Sequence, residues 1–187
     1  MPRPRHLRLV YASRSTFPPI RDGAGIHPEV ARILVQSRRN NARQRIYGGL
    51  YYADGSFFQC LEGREAEVQA LYERLAGDER HRDVRLLDRR KIAEPSFGDW
   101  AMKHVPNAPE VQQLLARHGR SGFDPHSFPP VLVDAMVGLL LERPDMAPPG
   151  EPVSGLEPAA RRMLLARVAV ATGLVAAVGA AAANWLR

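Results

Sequence analysis

The sequence predicts an α+β fold: a mainly antiparallel sheet with two helices on one face. The order is β-α-β-β-α-β with an additional final strand, followed by C-terminal helices. Two observations carry this. Short runs of strand-type composition alternate with two segments whose apolar residues recur at three and four positions. Between those helices, "RIYGGLYY" and "SFFQCLE" flank "ADG", a tight-turn sequence that joins neighbouring strands as a hairpin.

The elements follow in order. "LRLVYAS" (7–13) combines Leu, Val and Tyr with partial alternation and reads as the first strand. "HPEVARILVQS" reads as the first helix, with Pro28 in its first turn and Val30, Ile33 and Leu34 on one side. Arg45–Tyr52 and Ser56–Glu62 are the hairpin strands. "REAEVQALYERLAGD" is the clearest helix: Val68, Leu71, Tyr72 and Leu75 share a face, and Gly77 ends it. "VRLLDRRKI" gives a fourth strand and "SFGDWAMKHV" a short fifth. Two helices packed on one face of such a sheet is the ferredoxin-like arrangement. This domain is expected over residues 5–105. Residues 106–187 form a helical extension, read as an oligomerisation or partner-binding segment. It holds a helix from about Pro109 to Arg117, a second after Pro130, a Pro- and Gly-rich linker, and a long apolar tail.

The tail is uncharged from Val168 to Leu186, and its length approaches the roughly 20 residues of a membrane span. Much of it is alanine, which favours close helix packing. The leading expectation is a helix packed on the protein or on a second copy, giving a homo-oligomer. Membrane contact and a loosely ordered tail are the alternatives.

Composition excludes several classes. Cys60 is the single cysteine of the 187 residues, so no intrachain disulfide and no multi-thiolate zinc site can form. The six histidines are scattered, without HExxH or a paired spacing. No GxGxxG follows a strand, and no GxSxG occurs. The setting reads as reducing and cytoplasmic, with membrane association through the tail as the variant. The net charge of +6 permits nucleic acid as a partner. The positives are scattered among acids, however, and no stretch interleaves aromatics with basic residues. The sharpest basic cluster, "SRRNNARQR" (37–45), reads first as a solvated face.

The residue that calls for an explanation is Gln59, an amide inside the apolar run "FFQCLEG". Burying it without partners costs about 1–3 kcal/mol. If the first and third strands are central neighbours, Tyr11 and Gln59 share the helix-covered face. Asn40 and Asn41 are expected to follow the first helix. Trp100 and Met102 stand two apart on the last strand, so they are expected to face the same way. Each has an ordinary reading: core tyrosine, capping asparagine, filler methionine. Together they suggest a planar polar heterocycle between the helices, whose carbonyls and ring nitrogens an amide can satisfy. A period of two turns Cys60 away from this site, which argues against a catalytic thiolate.

"LRLVYAS", "SRRNNARQRIYGGLYYADGSFFQCLEG", "GDERHRDV" and "FGDWAM" together resemble the BLUF domain, a blue-light sensor that uses flavin, over residues 7–103. The resemblance implies a photoreceptor rather than an enzyme, with FAD as cofactor and FMN or riboflavin as alternatives. It implies that Tyr11 donates an electron and a proton, and that Gln59 stands between that phenol and flavin N5 and O4. Asn41 would hold the C4=O and N3 edge, Asn40 and Ser37 would line the pocket, and Trp100 and Met102 would transmit the signal. His81 matches the family's "D-x-R-H" segment, without a chemical role. The output would be altered contact of the C-terminal region with a downstream protein of unknown identity. The chain departs from the family at Tyr47 and Gly49, a large residue beside a small one, and at Pro95, where arginine is common. The rival reading is a non-photoactive ferredoxin-like ligand- or protein-binding regulator, which would purify colourless.

Overall fold

The computed structural model describes residues 6–19, 26–105 and 109–142. All fall in Met1–Pro152, the first of the two units into which the chain divides. The apolar tail lies outside the described residues.

The sheet is built from β1 (His6–Ser15), β2 (Tyr47–Ala53), β3 (Ser56–Arg64), β4 (His81–Ile92) and β5 (Lys103–Val105). The spatial order is β4-β1-β3-β2-β5, so β1 and β3 are the central neighbours the sequence predicts. All pairings are antiparallel except that of β2 with β5. Helices α1 (Pro28–Gln44) and α2 (Glu65–Leu75) follow β1 and β3, giving the ferredoxin-like order with its extra strand. Helix α3 (Pro109–Arg117), a 3-10 turn (Pro125–Ser127) and α4 (Pro130–Glu142) complete the described chain.

Period-two alternation divides the side chains between two cores. Leu7, Leu9 and Tyr11 of β1, Leu50 of β2 and Phe57 and Leu61 of β3 pack with Val30, Ile33 and Leu34 of α1 and Val68 of α2. The intervening Val10, Tyr51, Phe58 and Cys60 face the other way, against α3, α4, Phe123 and Phe128. Full burial of each such side chain contributes about 1.5–3 kcal/mol. The helices after residue 105 thus cover the second face of the same sheet.

Three local expectations change. Helix α1 runs through the basic cluster to Gln44 instead of stopping near Ser37, so Asn40 and Asn41 lie within it. Tertiary bonds offset the poor helix propensity of "RNN": Arg38 Nε donates to the Met102 carbonyl at 2.9 Å and Asn41 Nδ2 to the Ala101 carbonyl at 2.9 Å. The helix ends at Arg45, in the left-handed region with φ 53°. β4 begins at His81, so "DERH" runs directly into a strand. β5 is only Lys103–Val105, leaving Trp100 and Met102 in the irregular segment before it.

That segment, residues 93–102, joins β4 at one edge of the sheet to β5 at the other by crossing the face that bears α3 and α4. The Trp100 carbonyl accepts from Gly48 N–H at 3.0 Å. A Cβ on Gly49 would meet Phe97 Cε1 at 2.9 Å, so glycine makes room for the crossing phenylalanine. Tyr47, partly buried on the same face, supplies the bulk beside it.

Candidate functional site: a polar slot between α1 and α2

The β1–β3 register sets Tyr11 directly opposite Gln59. Both point to the face covered by α1 and α2. Tyr11 is fully buried and Gln59 is 4% exposed. The Tyr11 hydroxyl donates to Gln59 Oε1 at 2.5 Å, and Gln59 Nε2 donates to Met102 Sδ at 3.4 Å. These two partners answer the amide in the apolar strand. Burial, with Asp78 and Tyr72 adding repulsion, pushes the Tyr11 phenol far above its ordinary range. It therefore holds its proton at every ordinary pH.

Gln59 lies at the floor of a cavity of about 450 Å³ between the helices. Ile33, Ser37, Asn40, Asn41 and Gln44 of α1 form one wall; Leu71, Arg74 and Leu75 of α2 form the other. Asp78, Arg80 and His81 close one end. Asn41 is buried, Ser37 is half-buried and Asn40 is exposed, so the three step outward from floor to rim. Arg74 Nη2 reaches Gln44 Oε1 across the opening at 3.2 Å. An amide floor, an amide wall and aliphatic flanks from Ile33, Leu71 and Leu75 suit a flat ring with carbonyl and N–H edges. The residues present therefore fit a flavin.

The closing end carries its own charge balance. Asp78 receives two side-chain bonds and a backbone bond from Arg80, the longest at 3.0 Å. Those bonds hold its carboxyl at about 2. His81 shares a 2.8 Å hydrogen bond with Ser13 and lies 4.6 Å from the Phe57 ring. Burial lowers its pKa to about 4, so it is neutral at pH 7.

Trp100 and Met102 do not face the same way. Met102, 1% exposed, belongs to the core under α1 and α2, whereas Trp100 packs partly buried in the core on the opposite face. Alternation fails because neither residue is in a strand. The chain instead passes from one face to the other at the β2 edge. Cys60 faces the second core as expected, and burial raises its thiol pKa well beyond the thiolate range.

Sequence reasoning missed Arg38, Glu62 and Arg8. Arg38 read as part of a solvated basic face, yet it is 8% exposed and holds the Met102 carbonyl. The register that pairs Tyr11 with Gln59 also pairs Arg8 with Glu62, and this was the available signal.

The BLUF family model, sensors of blue-light using FAD, matches residues 7–103. The chain belongs to this family. Among solved structures, BlsA in its photo-activated state is 30% identical with a TM-score of 0.67, over 75% of this chain and 98% of that one. BlrB, a BLUF protein in its dark state, is 25% identical with a TM-score of 0.56, over 73% and 98%. Among curated proteins, the photoactivated adenylate cyclase subunit beta of Euglena longa is 30% identical over 152 residues. Subunit alpha of Euglena gracilis is 28% identical over the same length. The match covers 79% of this chain but 17% and 14% of those proteins. This chain corresponds to their BLUF sensor part and not to their cyclase part. It carries the BLUF domain of a blue-light sensor using FAD, with Tyr11 of β1 and Gln59 of β3 hydrogen-bonded to each other.

Two expectations are corrected. The curated relatives are named as alpha and beta subunits, which points to unlike chains and overturns the homo-oligomer. No helix among the described residues is long and apolar enough to cross a membrane, so no described segment carries the membrane contact or the membrane-associated location expected of the tail, which itself lies outside those residues.

Proposed function

We propose that residues 5–105 form the flavin-binding photosensor and residues 106–187 its output segment. In this reading Tyr11 and Gln59 carry the photochemistry, Asn41, Asn40 and Ser37 hold the ring, and Met102 and Trp100 pass the change on. The observation that carries it is the buried Tyr11–Gln59 hydrogen bond at the floor of the slot. When bound, the flavin supplies blue-light absorption and an excited state that is a strong oxidant. Tyr11 would be the electron donor to that excited state. Its raised phenol pKa keeps the proton in place until then, and Gln59 is the group in contact that can relay it.

Gln59 has two useful arrangements. In the present one its oxygen accepts from Tyr11 and its NH2 faces Met102 Sδ. Turned over, its N–H donates to the Tyr11 oxygen and its own oxygen meets the sulfur with no hydrogen between them. The Met102 contact is then lost. Buried amide networks hold discrete arrangements because an unsatisfied intermediate is costly. The pair thus stores a photochemical event as a population shift. Arg38 and Asn41 grip the carbonyls of Met102 and Ala101, and Lys103 Nζ donates to the Leu141 carbonyl at 2.8 Å, at the end of α4. Movement of Met102 therefore has a short path to the output segment, and from there to a partner of unlike chain.

The test is an absorption spectrum of the purified, flavin-loaded chain in darkness and after a blue flash. A reversible red shift without bleaching is expected. A yellow protein whose spectrum does not respond refutes the photosensor reading, and a chain that refuses added flavin refutes the slot as its site.

A further inference from the structure

We propose that Glu62 is a positioning residue for the photochemical pair: its carboxylate pins the start of the crossing segment and so sets where Met102 meets Gln59. The inference rests on the photosensor reading above. Glu62 takes no part in the slot, since it points to the opposite face of β3. Its side chain is 0% exposed, and a buried carboxylate is tolerated only when paired and hydrogen-bonded. Here it is. Arg8 Nε donates to Oε1 at 2.6 Å, and the Ser96 backbone N–H donates to Oε2. Arg8 Nη2 closes the ring by donating to Ser96 Oγ at 3.0 Å. One carboxylate thereby ties β1 and β3 to the first part of the crossing segment.

The rest of that segment is laid down by contact after contact. Phe97 sits against Gly49, and the Trp100 carbonyl takes the Gly48 N–H. Met102 then turns into the other core, where its sulfur accepts from Gln59. Glu62 and Gln59 stand three positions apart on β3 and hold the two ends of one segment from opposite faces of the sheet. Untying the Glu62 end leaves Met102 with a wider range of positions. The Gln59 NH2 then loses a fixed partner, and the amide meets less packing resistance when it turns back after illumination. Recovery in the dark should accelerate.

A buried ion pair that merely stabilised the sheet would give a different result, so the test is a cycle read by spectroscopy. The flavin-loaded full chain is compared with Glu62→Gln, Met102→Ala and the double variant. Dark recovery is followed optically, and the Met102 methyl by carbon-13 NMR. Glu62→Gln should keep the flavin, broaden or move the Met102 methyl signal, and accelerate recovery by about threefold or more. In the Met102→Ala background the same substitution should leave the rate unchanged. Recovery that is unchanged or slower in Glu62→Gln, or equally accelerated in both backgrounds, overturns the proposal. Glu62→Asp, which keeps the charge beside Arg8 but withdraws it from Ser96, carries the same test if the glutamine variant does not fold. A red shift that is absent from the unsubstituted chain would refute the photosensor reading instead.

Discussion

Tyr11→Phe isolates the hydroxyl on which the photochemical reading depends. Phenylalanine keeps the ring, its burial and its edge contact with Tyr72, whose centroid lies 5.8 Å away. It removes the 2.5 Å bond and leaves the buried Gln59 Oε1 without its donor. An acceptor stranded in this way costs about 1–3 kcal/mol. With a urea m-value of about 2 kcal/mol per molar, the unfolding midpoint should fall by roughly 1 M. Gln59→Leu should cost a similar amount, because the Tyr11 hydroxyl is then the stranded group. The double variant joins two apolar side chains and strands neither. Its loss should therefore fall short of the sum of the single losses by about 1–2 kcal/mol. Both single variants should stay yellow and lose the light-induced red shift. A normal shift in Tyr11→Phe would refute the electron and proton path. Strictly additive stabilities would refute the bond itself.

Asn41→Ala removes the Nδ2 bond to the Ala101 carbonyl and the buried amide of the slot wall. Flavin should bind about tenfold more weakly, equivalent to ~1.4 kcal/mol; a fluorescence-quenching titration with an unchanged Kd would refute the anchoring role. His81 makes acid sensitivity specific to one window. Its folded pKa of about 4 lies below the ordinary 6.5, so the unfolded chain takes up a proton that the folded chain refuses. The stability it contributes is complete above pH 6.5 and is lost as pH falls through about 4, by about 3 kcal/mol in all. Asp78, held at about 2, titrates below that window. Urea midpoints between pH 7 and pH 4 should fall in the unsubstituted protein and flatten in His81→Asn; equal slopes would refute the assignment.

The face of each strand residue was legible wherever alternation was strict. Gln59 pointed at the helices and Cys60 away because β3 is regular from Ser56 to Arg64. Once β1 and β3 were read as central neighbours, a Tyr11–Gln59 pair followed, and the register supplies it. What could not be read locally was decided by tertiary bonds. Arg38 and Asn41 extend α1 past its propensity by capturing carbonyls some sixty residues away in sequence, at Met102 and Ala101. The opposite orientations of Trp100 and Met102 depend on where a segment without secondary structure rounds the sheet edge, and no periodicity encodes that. Glu62 looked like the end of a strand. Its significance appears only when Arg8 and Ser96 close around it.

In the proposed reading the same crossing segment is the route by which a sensor buried under one pair of helices addresses another. The sheet separates the slot from α3 and α4, and its packed side chains leave little room for a signal to pass through it. Residues 93–102 go around instead. Met102 touches Gln59 on one face, Trp100 packs on the other, and Lys103 reaches the Leu141 carbonyl near the end of α4. A cation at that position favours the negative end of the helix, by typically 0.3–1 kcal/mol. On that reading a backbone displacement at Met102 would reach its covalent neighbour Lys103 and, through the Leu141 carbonyl, the last turn of α4. In the proposed reading the photochemical pair acts by releasing or holding one thioether, and the sheet is touched only at its β5 edge, where Lys103 pairs with Gly49.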